Sequence, residues 1–397
     1  MSMSGTPDKF ICKILRKLRK LFAIPVNILL SWVSKVKRNK VMFMTFNHTY
    51  TCNPKYICQE LLRQQLPVDI VWVVKAGQPS YAPEGVRTVT YGTFAYLKEL
   101  VTAKVWVDNA LGFTWNPFPP KKKNQFYIQT WHGSLGLKRI GKENIQNKRW
   151  SLAAWANGRS VDLCVSNSSF ETDVFRQTHW PKNRIEELGH PRNDIFFADA
   201  AEKADIAQRV RRHFGIAGFK RIALYAPTFR NHDTTDCYDL DHSRFLNALE
   251  EKFGSEWVLL SRYHMKTLKA RDAQLADPRI LDATAYTDIQ ELMLAADVGI
   301  TDYSSWICDF VLTGRPGFLY APDLDSYDQE RGFYYPLEET PFPIAQTNDA
   351  LYENILHFDT DLYARKKERF LEARGCKETG TAAKQIVEII KQQCGLI

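Results

Sequence analysis

The clearest chemical feature of the sequence is a histidine that follows an apolar run and precedes a flexible glycine. His132 stands in the segment 129–141, Gln-Thr-Trp-His-Gly-Ser-Leu-Gly-Leu-Lys-Arg-Ile-Gly. The ordinary pKa of histidine, about 6.5, leaves the imidazole largely neutral at cytoplasmic pH, so a histidine at the mouth of a cleft suits general-base work. Lys138 and Arg139 lie close enough in sequence to contact phosphate. Taken alone, a histidine at a strand end is more often structural.

Two further apolar runs end in residues that bind anions. Thr228 and Arg230 follow the first run and present a hydroxyl and a guanidinium, which suits bidentate contact with phosphate. Arg262 and His264 follow the second run and point to the same side of an extended chain, because side chains alternate along a strand. Such residues are common at strand ends, so each pattern alone is only suggestive.

The most informative cluster begins where the apolar run Gly299–Thr301 changes to polar residues. Asp302, Ser304 and Ser305 precede a predicted apolar helix that also carries Asp309. A serine at a helix start caps the helix and leaves free backbone N–H groups, which together with the helix dipole favour an anion. A diphosphate could bind there without a metal. A plain helix cap is the alternative.

The motifs of other nucleotide enzymes are missing from the sequence. Neither GxGxxG nor GxxxxGK[ST] occurs, which removes the main support for dinucleotide binding and for a P-loop. The Asp-x-Asp triplets 239–241 and 323–325 lie in polar, turn-like stretches with no supporting ligand cluster, so a metal-dependent nucleotide-sugar site is disfavoured. We expect no metal and no cofactor.

The eight cysteines contain no CxxC pair and no zinc-like spacing, which favours a reducing cytoplasm. Cys308 lies beside the proposed site but is interpreted as a packing residue, because nothing in the sequence indicates a lowered thiol pKa.

The elements that must position these residues alternate between short apolar strands and helices, which predicts parallel, doubly wound sheets. Two Rossmann-like halves result, one over 41–200 and one over 201–397. We expect the helix 381–393 to pack across the hinge. Ligands of such sheets bind outside the carboxyl ends of the strands, here in the cleft between the halves.

The segment 1–40 concentrates the positive charge of the chain. Residues 9–40 hold ten cations and no acid, so although the net charge is +8 the rest of the chain is slightly acidic. The basic face of a predicted amphipathic helix carries Lys13, Arg16, Lys17 and Lys20, which favours an anionic membrane surface over nucleic acid. The apolar run 21–33 is too short to span a bilayer. A helix that packs on the protein's own body is the alternative.

Six motifs in order resemble the CDP-glycerol:poly(glycerophosphate) glycerophosphotransferase family, whose members build teichoic acids and capsule polymers. The resemblance extends from about Val41 to Gln393. Its marks are Thr-Trp-His-Gly at 130–133, Gly-His-Pro-Arg-Asn-Asp at 189–194, Tyr-Ala-Pro-Thr-Phe-Arg at 225–230, Arg-Tyr-His at 262–264, Thr-Asp-Tyr-Ser-Ser at 301–305 and Arg-Gly-Phe at 331–333.

The resemblance implies a GT-B-like fold, peripheral attachment to the cytoplasmic face of the membrane, and transfer of glycerol phosphate from CDP-glycerol with release of CMP. By this likeness His132 is the base that deprotonates the acceptor hydroxyl, and His264 stabilises or protonates the departing CMP. The implied donor-binding residues are Thr228, Arg230, Arg262, Asp302, Ser304, Ser305, Asp309 and Arg331. The resemblance also implies that 41–200 is the acceptor-side half and that 201–397 binds the CDP donor. Lys138 and Arg139 are assigned to the side of a lipid-linked or polymeric acceptor.

Three alternatives stay open at this point. The donor could be CDP-ribitol, since only the polyol pocket would differ. The chain could be a GT-B glycosyltransferase that uses a nucleotide sugar, or a non-catalytic membrane-binding module, although two retained histidines argue against the last. A homo-oligomer is left open.

Overall fold

A computed structural model describes residue 25 and residues 27–114, 120–140, 148–228, 239–263 and 277–397. Arg230, His264 and the four predicted membrane cations therefore lie outside the described residues. Among the described residues, no helix is long and apolar enough to cross a membrane.

The first half is built on a seven-stranded parallel sheet with the order β3-β2-β1-β4-β5-β6-β7. Its inner strands are mostly buried and are apolar runs, whereas the outer strands Val86–Thr90 and Arg184–Glu187 are partly exposed. They are β1 (Lys37–Met44), β2 (Asp69–Val74), β3 (Val86–Thr90), β4 (Ala103–Asp108), β5 (Phe126–Gln129), β6 (Leu163–Ser166) and β7 (Arg184–Glu187). Its helices are α1 (Cys52–Arg63), α2 (Phe94–Thr102), α3 (Lys148–Ser160) and α4 (Ser169–Gln177).

The second half holds a six-stranded parallel sheet with the order β10-β9-β8-β11-β12-β13. Its strands are β8 (Arg221–Tyr225), β9 (Trp257–Ser261), β10 (Ile280–Asp282), β11 (Val298–Thr301), β12 (Gly317–Tyr320) and β13 (Ile344–Ala345). The remaining helices are α5 (Ala200–Phe214), α6 (His242–Phe253), α7 (Ile289–Ala295), α8 (Trp306–Phe310), α9 (Leu324–Arg331), α10 (Asn348–Leu356), α11 (Thr360–Ala373) and α12 (Ala382–Cys394), with 3-10 turns at Pro191–Phe197, Val311–Thr313 and Leu337–Glu339. The predicted fold class, α/β with two doubly wound parallel sheets, is confirmed.

Close packing of α8 on β11 explains a glycine in the middle of a buried strand. A side chain at Gly299 would place its Cβ 2.8 Å from the ring of Phe310. Only glycine lets the helix lie this close to the strand, and the polar segment 302–305 is the short connection between them.

The chain crosses between the halves more than once. After α11 it returns to the first half, where Ile386, Val387, Ile390 and Cys394 of α12 are buried in the core beneath the first sheet. In the other direction, Leu135 of the first half is buried in the core of the second. Each half therefore contributes side chains to the core of the other.

The predicted boundary of the amino-terminal segment at residue 40 falls inside β1. Lys40 is buried, and its ammonium contacts the carboxylate of Glu99 and lies 3.0 Å from Thr102 Oγ1 and 3.7 Å from Asp69. Lys40 is therefore an ion-paired residue of an inner strand and is not available to an anionic surface.

Candidate active site

The candidate site residues follow the carboxyl ends of strands in both sheets. His132 comes three residues after β5, Thr228 three after β8, Arg262 directly after β9 and Asp302 directly after β11. This is the edge at which open parallel sheets bind ligands. The sequence prediction therefore placed these side chains at the right edge of each sheet.

His132 is a half-buried imidazole in an aromatic and cationic setting. Its ring centroid lies 5.1 Å from Phe46 and 4.5 Å from Trp131, and its Nδ1 lies 2.5 Å from the carbonyl oxygen of Asn109. Burial lowers the pKa of His132 to about 4, against the opposing effect of the Asn109 hydrogen bond, and the nearby charges of Arg192, His190 and Lys138 lower it further. The imidazole is therefore neutral at pH 7 and able to accept a proton.

The loop that carries His132 is fixed through its carbonyl groups. Asn53 Nδ2 donates to the carbonyls of residues 130 and 131, both at 3.1 Å. The guanidinium of Arg192 donates to Gly133 O at 2.5 Å, and the hydroxyl of Tyr335 donates to Leu135 O at 2.5 Å. The backbone has positive φ at Trp131 (50°) and Leu135 (33°), which these contacts sustain.

The acceptor-side residues lie against the segment that follows Arg331. Arg139 N donates to Gly332 O at 2.9 Å, and its Nε donates to Phe333 O at 3.0 Å. Lys138 and Phe333 form an antiparallel bridge between the halves. Arg331 is the last residue of α9. Residues 138–139 and residues 332–333, which lie about 190 positions apart in the sequence, thus pack against each other. The sequence alone did not predict this contact.

Asp302 has a different role from the predicted one. Its buried carboxylate accepts the backbone N–H of Thr228 at 2.8 and 3.0 Å and that of Tyr303 at 2.5 Å. The carboxylate therefore holds the turn after β8 against the turn after β11. It positions Thr228, and because it is an acceptor only it is unsuited to bind a diphosphate itself.

The serines of the same segment lie at the start of a helix, as predicted, but without the predicted side-chain cap. Ser305 is the N-cap of α8, a helix of five residues, and its side chain makes no capping hydrogen bond. Ser304 and Ser305 are both half-buried. Capping of α8 therefore does not occupy the Ser305 hydroxyl.

Asp309 is also placed differently from the prediction. It is buried, and its carboxylate accepts Arg192 Nε and Asn193 Nδ2, each at 2.9 Å. This buried ion pair joins α8 of the second half to the 3-10 turn Pro191–Phe197. Asp309 is thus directed at the protein's own arginine rather than at a donor.

Arg262 is a half-buried cation that has no close carboxylate among the residues that the structure describes. Burial lowers the pKa of its guanidinium, and Asp288 exerts only an opposing electrostatic effect. In the described ranges, this side chain makes no hydrogen bond or ion pair. A half-buried guanidinium with this lack of pairing is well suited to an anionic ligand.

A buried polar hub around residues 190–194 is the feature that sequence reasoning did not assign. His190 Nε2 lies 2.9 Å from Glu171, and although burial alone would lower the pKa of His190, Glu171 outweighs it and raises the pKa. Asn193 Nδ2 donates to Glu378 at 2.7 Å, and Asp194 accepts the first N–H groups of α12 at 2.8 and 3.1 Å. The run Gly-His-Pro-Arg-Asn-Asp at 189–194 was the available signal, because six polar or conformationally special residues in succession are unusual beside a core.

Two parallel α/β sheets, with a histidine after a strand of one and hydroxyl and guanidinium side chains after strands of the other, are the arrangement of a GT-B-like transferase. The chain belongs to the CDP-glycerol:poly(glycerophosphate) glycerophosphotransferase family, which it matches over residues 27–392.

Individual relatives agree with this assignment. The chain is 28% identical over 382 residues to the teichoic acid poly(glycerol phosphate) polymerase of Staphylococcus epidermidis, covering 89% of this chain and 51% of that protein. It is 28% identical over 390 residues to the teichoic acid glycerol-phosphate transferase of Staphylococcus aureus, covering 94% and 98%. The chain thus spans about half of the first relative and nearly all of the second.

A solved wall teichoic acid polymerase, TagF, has the same fold. It superposes with a TM-score of 0.82 at 26% identity, covering 98% of this chain and 99% of that chain. The same polymerase was solved after a soak with CDPG.

Replacement of Arg192 by methionine should destabilise the protein strongly. It leaves the buried Asp309 without its cation, which typically costs about 3–5 kcal/mol in the free energy of unfolding. Urea unfolding measures the change. The control is Arg209→Met, which removes an exposed ion pair with Asp205 and a longer one with Glu291 at 3.8 Å, and should cost less than about 1 kcal/mol. Equal, small losses in both variants would show that the buried pair contributes little.

Proposed function

We propose that this chain transfers glycerol phosphate from CDP-glycerol to a lipid-linked or polymeric acceptor and releases CMP, in teichoic acid or capsular polymer synthesis. The observation that carries the proposal is the neutral His132, fixed at the carboxyl end of β5 on a loop that pairs with the second half through residues 332–335. Family membership supports the choice of donor.

His132 acts as the base in this reaction. Its imidazole takes the proton of the acceptor hydroxyl while the hydroxyl oxygen attacks the β-phosphorus of CDP-glycerol. The new phosphorus–oxygen bond forms as the bond to the bridging oxygen breaks, and that oxygen leaves with CMP. His264 is assigned to stabilise or protonate the departing CMP. Such a transfer depends mainly on positioning and on neutralising phosphate charge.

Donor binding is assigned to the turns after β8, β9 and β11. Arg262 supplies a half-buried cation that no carboxylate of the described residues pairs with, and the hydroxyls of Thr228, Ser304 and Ser305 supply neutral donors. Arg230 and Arg331 stay predicted donor contacts, and metal independence stays a prediction.

Peripheral membrane attachment is supported by the short helix before β1. In this helix, which covers residues 27–33, Asn27 and Ser31 are buried, at 3% and 7% exposure. Leu29, Trp32 and Val33 point outward with 59%, 82% and 70% exposure. A helix that buries its polar side and exposes its apolar side fits an interface with lipid, and the predicted cations before it would add attraction to anionic headgroups.

The donor assay tests the proposal directly. Purified protein, with a lipid-linked acceptor extract and a chelator, should release CMP from CDP-glycerol and much less from CDP-ribitol or nucleotide sugars. His132→Ala and His264→Ala should each lower the rate at least about 100-fold, as loss of a general acid or base typically does. His357→Ala, an exposed histidine, is the control. A nucleoside diphosphate released from a sugar donor would overturn the assigned chemistry.

The pH dependence should reveal the lowered pKa of His132. An imidazole with the ordinary pKa would be about 90% protonated at pH 5.5 and would lose roughly tenfold in rate. Because the base stays neutral down to about pH 4, kcat/KM for CMP release with a soluble acceptor analogue should change less than about twofold between pH 7 and 5.5. An acid limb with a midpoint near the ordinary histidine pKa would contradict this assignment.

Membrane attachment should depend on the segment before β1. Removal of residues 1–33 should release the protein from anionic vesicles and leave transfer to a soluble acceptor largely intact. In the full chain, Trp32→Ser should weaken vesicle binding several-fold, since a large exposed aromatic side chain is lost from the interface. Phe219→Ser, at a residue 67% exposed on the second half, is the matched control. Undiminished binding by the truncated chain would exclude the segment as the anchor.

A further inference from the structure

We propose that Asp108 is a positioning residue for the base: its carboxylate shapes the turn after β4 so that the Asn109 carbonyl holds the His132 imidazole with hydrogen on Nδ1 and the lone pair on Nε2. This inference rests on the proposed function of His132 as the base.

The tautomer follows from the contact with Asn109. A carbonyl oxygen can only accept a hydrogen bond, and it lies 2.5 Å from His132 Nδ1. In the neutral imidazole Nδ1 must therefore carry the hydrogen, which leaves the lone pair on Nε2. Only that nitrogen is then able to take the proton of an acceptor hydroxyl.

The position of the Asn109 carbonyl is set by Asp108 through both carboxylate oxygens. Oδ1 accepts the N–H of Ala110 at 2.8 Å, and Oδ2 accepts the N–H of Phe113 at 3.3 Å. The carboxylate thus bonds to the chain on the far side of Asn109 and closes the turn around it. Asn109 Oδ1 in turn accepts the N–H of Phe46 at 3.0 Å.

Asp108 also holds the chain just after β5, which leads to His132. Its backbone carbonyl accepts the N–H of Thr130 at 2.8 Å and the hydroxyl of Thr130 at 3.2 Å, two residues before His132. The same residue therefore places both the ring's hydrogen-bond acceptor and the chain that bears the ring.

A series of buried hydrogen bonds orients the carboxylate of Asp108. Tyr127 donates its hydroxyl hydrogen to Asp108 Oδ2 at 2.9 Å and accepts from Asn157 Nδ2 at 2.9 Å. Asn157 Oδ1 accepts Trp180 Nε1 at 2.8 Å. Asp108 is fully buried, and burial raises the pKa of its carboxyl group. Buried networks of this kind fix one geometry when every member is satisfied.

The chain contains a matched carboxylate for comparison. Asp162 Oδ2 accepts the N–H of Tyr127 at 2.7 Å and pairs with Lys121 at 2.8 Å, at the amino end of β5. It supports the same strand through a backbone hydrogen bond but lies at the opposite end from His132. Its loss should disturb the sheet without turning the imidazole.

The kinetic test compares Asp108→Asn with Asp162→Asn in the full chain. An amide cannot accept at both positions, so one N–H of the turn loses its partner and the Asn109 carbonyl shifts. Asp108→Asn should lower kcat for CMP release by about 10- to 100-fold, as misplacement of a catalytic group does, with KM for CDP-glycerol within about twofold. Asp162→Asn should keep kcat within about twofold. Unchanged kcat in folded Asp108→Asn would overturn the inference.

The spectroscopic test does not depend on transfer. In the free protein labelled with 15N-histidine, the His132 signals, assigned by their loss in His132→Gln, should report hydrogen on Nδ1 in the wild type and a shift towards Nε2 in Asp108→Asn. Hydrogen on Nε2 in the wild type would refute the inference even if Asp108→Asn did not fold. Failure of the wild type to release CMP from CDP-glycerol would instead refute the proposed function and leave the tautomer result standing.

Discussion

The buried ion pair between Arg192 and Asp309 is the interaction on which the arrangement of the two halves depends. Both side chains are nearly inaccessible, and the guanidinium donates to Asp309 at 2.9 Å and to Gly133 O at 2.5 Å. Desolvating both charges is costly, so the pair is stable only while its geometry is kept. One arginine therefore ties α8 of the second half to the loop that carries His132. Separation of the halves at this point would leave a buried charge without a partner.

Segments of each half pack in the other half, so the parts of the site that the two halves contribute are held together. Leu135 and Leu137 lie in the second core, and the backbone next to them pairs with the segment after Arg331. The carboxy-terminal helix α12 packs in the opposite sense, with its start held by Asp194. On the proposed function, the donor bound to one sheet and the base carried by the other are therefore not positioned by two independent bodies. Phosphoryl transfer requires that its reacting groups be held in fixed positions. Here the chain itself links the two halves, because segments of each half pack in the other.

The sequence predicted the strands well where a strand is buried and its residues are therefore apolar. Asp69–Val74 and Gly317–Tyr320 were predicted with the bounds that they have, because fully buried parallel strands are uninterrupted apolar runs. β7, with the sequence Arg-Ile-Glu-Glu, and the two-residue β13 lack that signal and were not predicted. The site was predicted by residue type and edge of the sheet, whereas the directions of Asp302 and Asp309 depend on partners 74 and 117 residues away. No local pattern encodes such long-range pairs.

On the proposed function, the low pKa of His132 and the cations around it have a chemical role. Burial together with Arg192, His190 and Lys138 keeps the imidazole neutral, yet a base with a pKa of about 4 is a weak one. An anionic diphosphate beside these groups would offset their charge and raise the imidazole's affinity for a proton. The base would thus gain strength only when the donor is bound and the acceptor proton has to be taken. The same positive field that attracts the donor would then prevent His132 from holding a proton before the donor arrives.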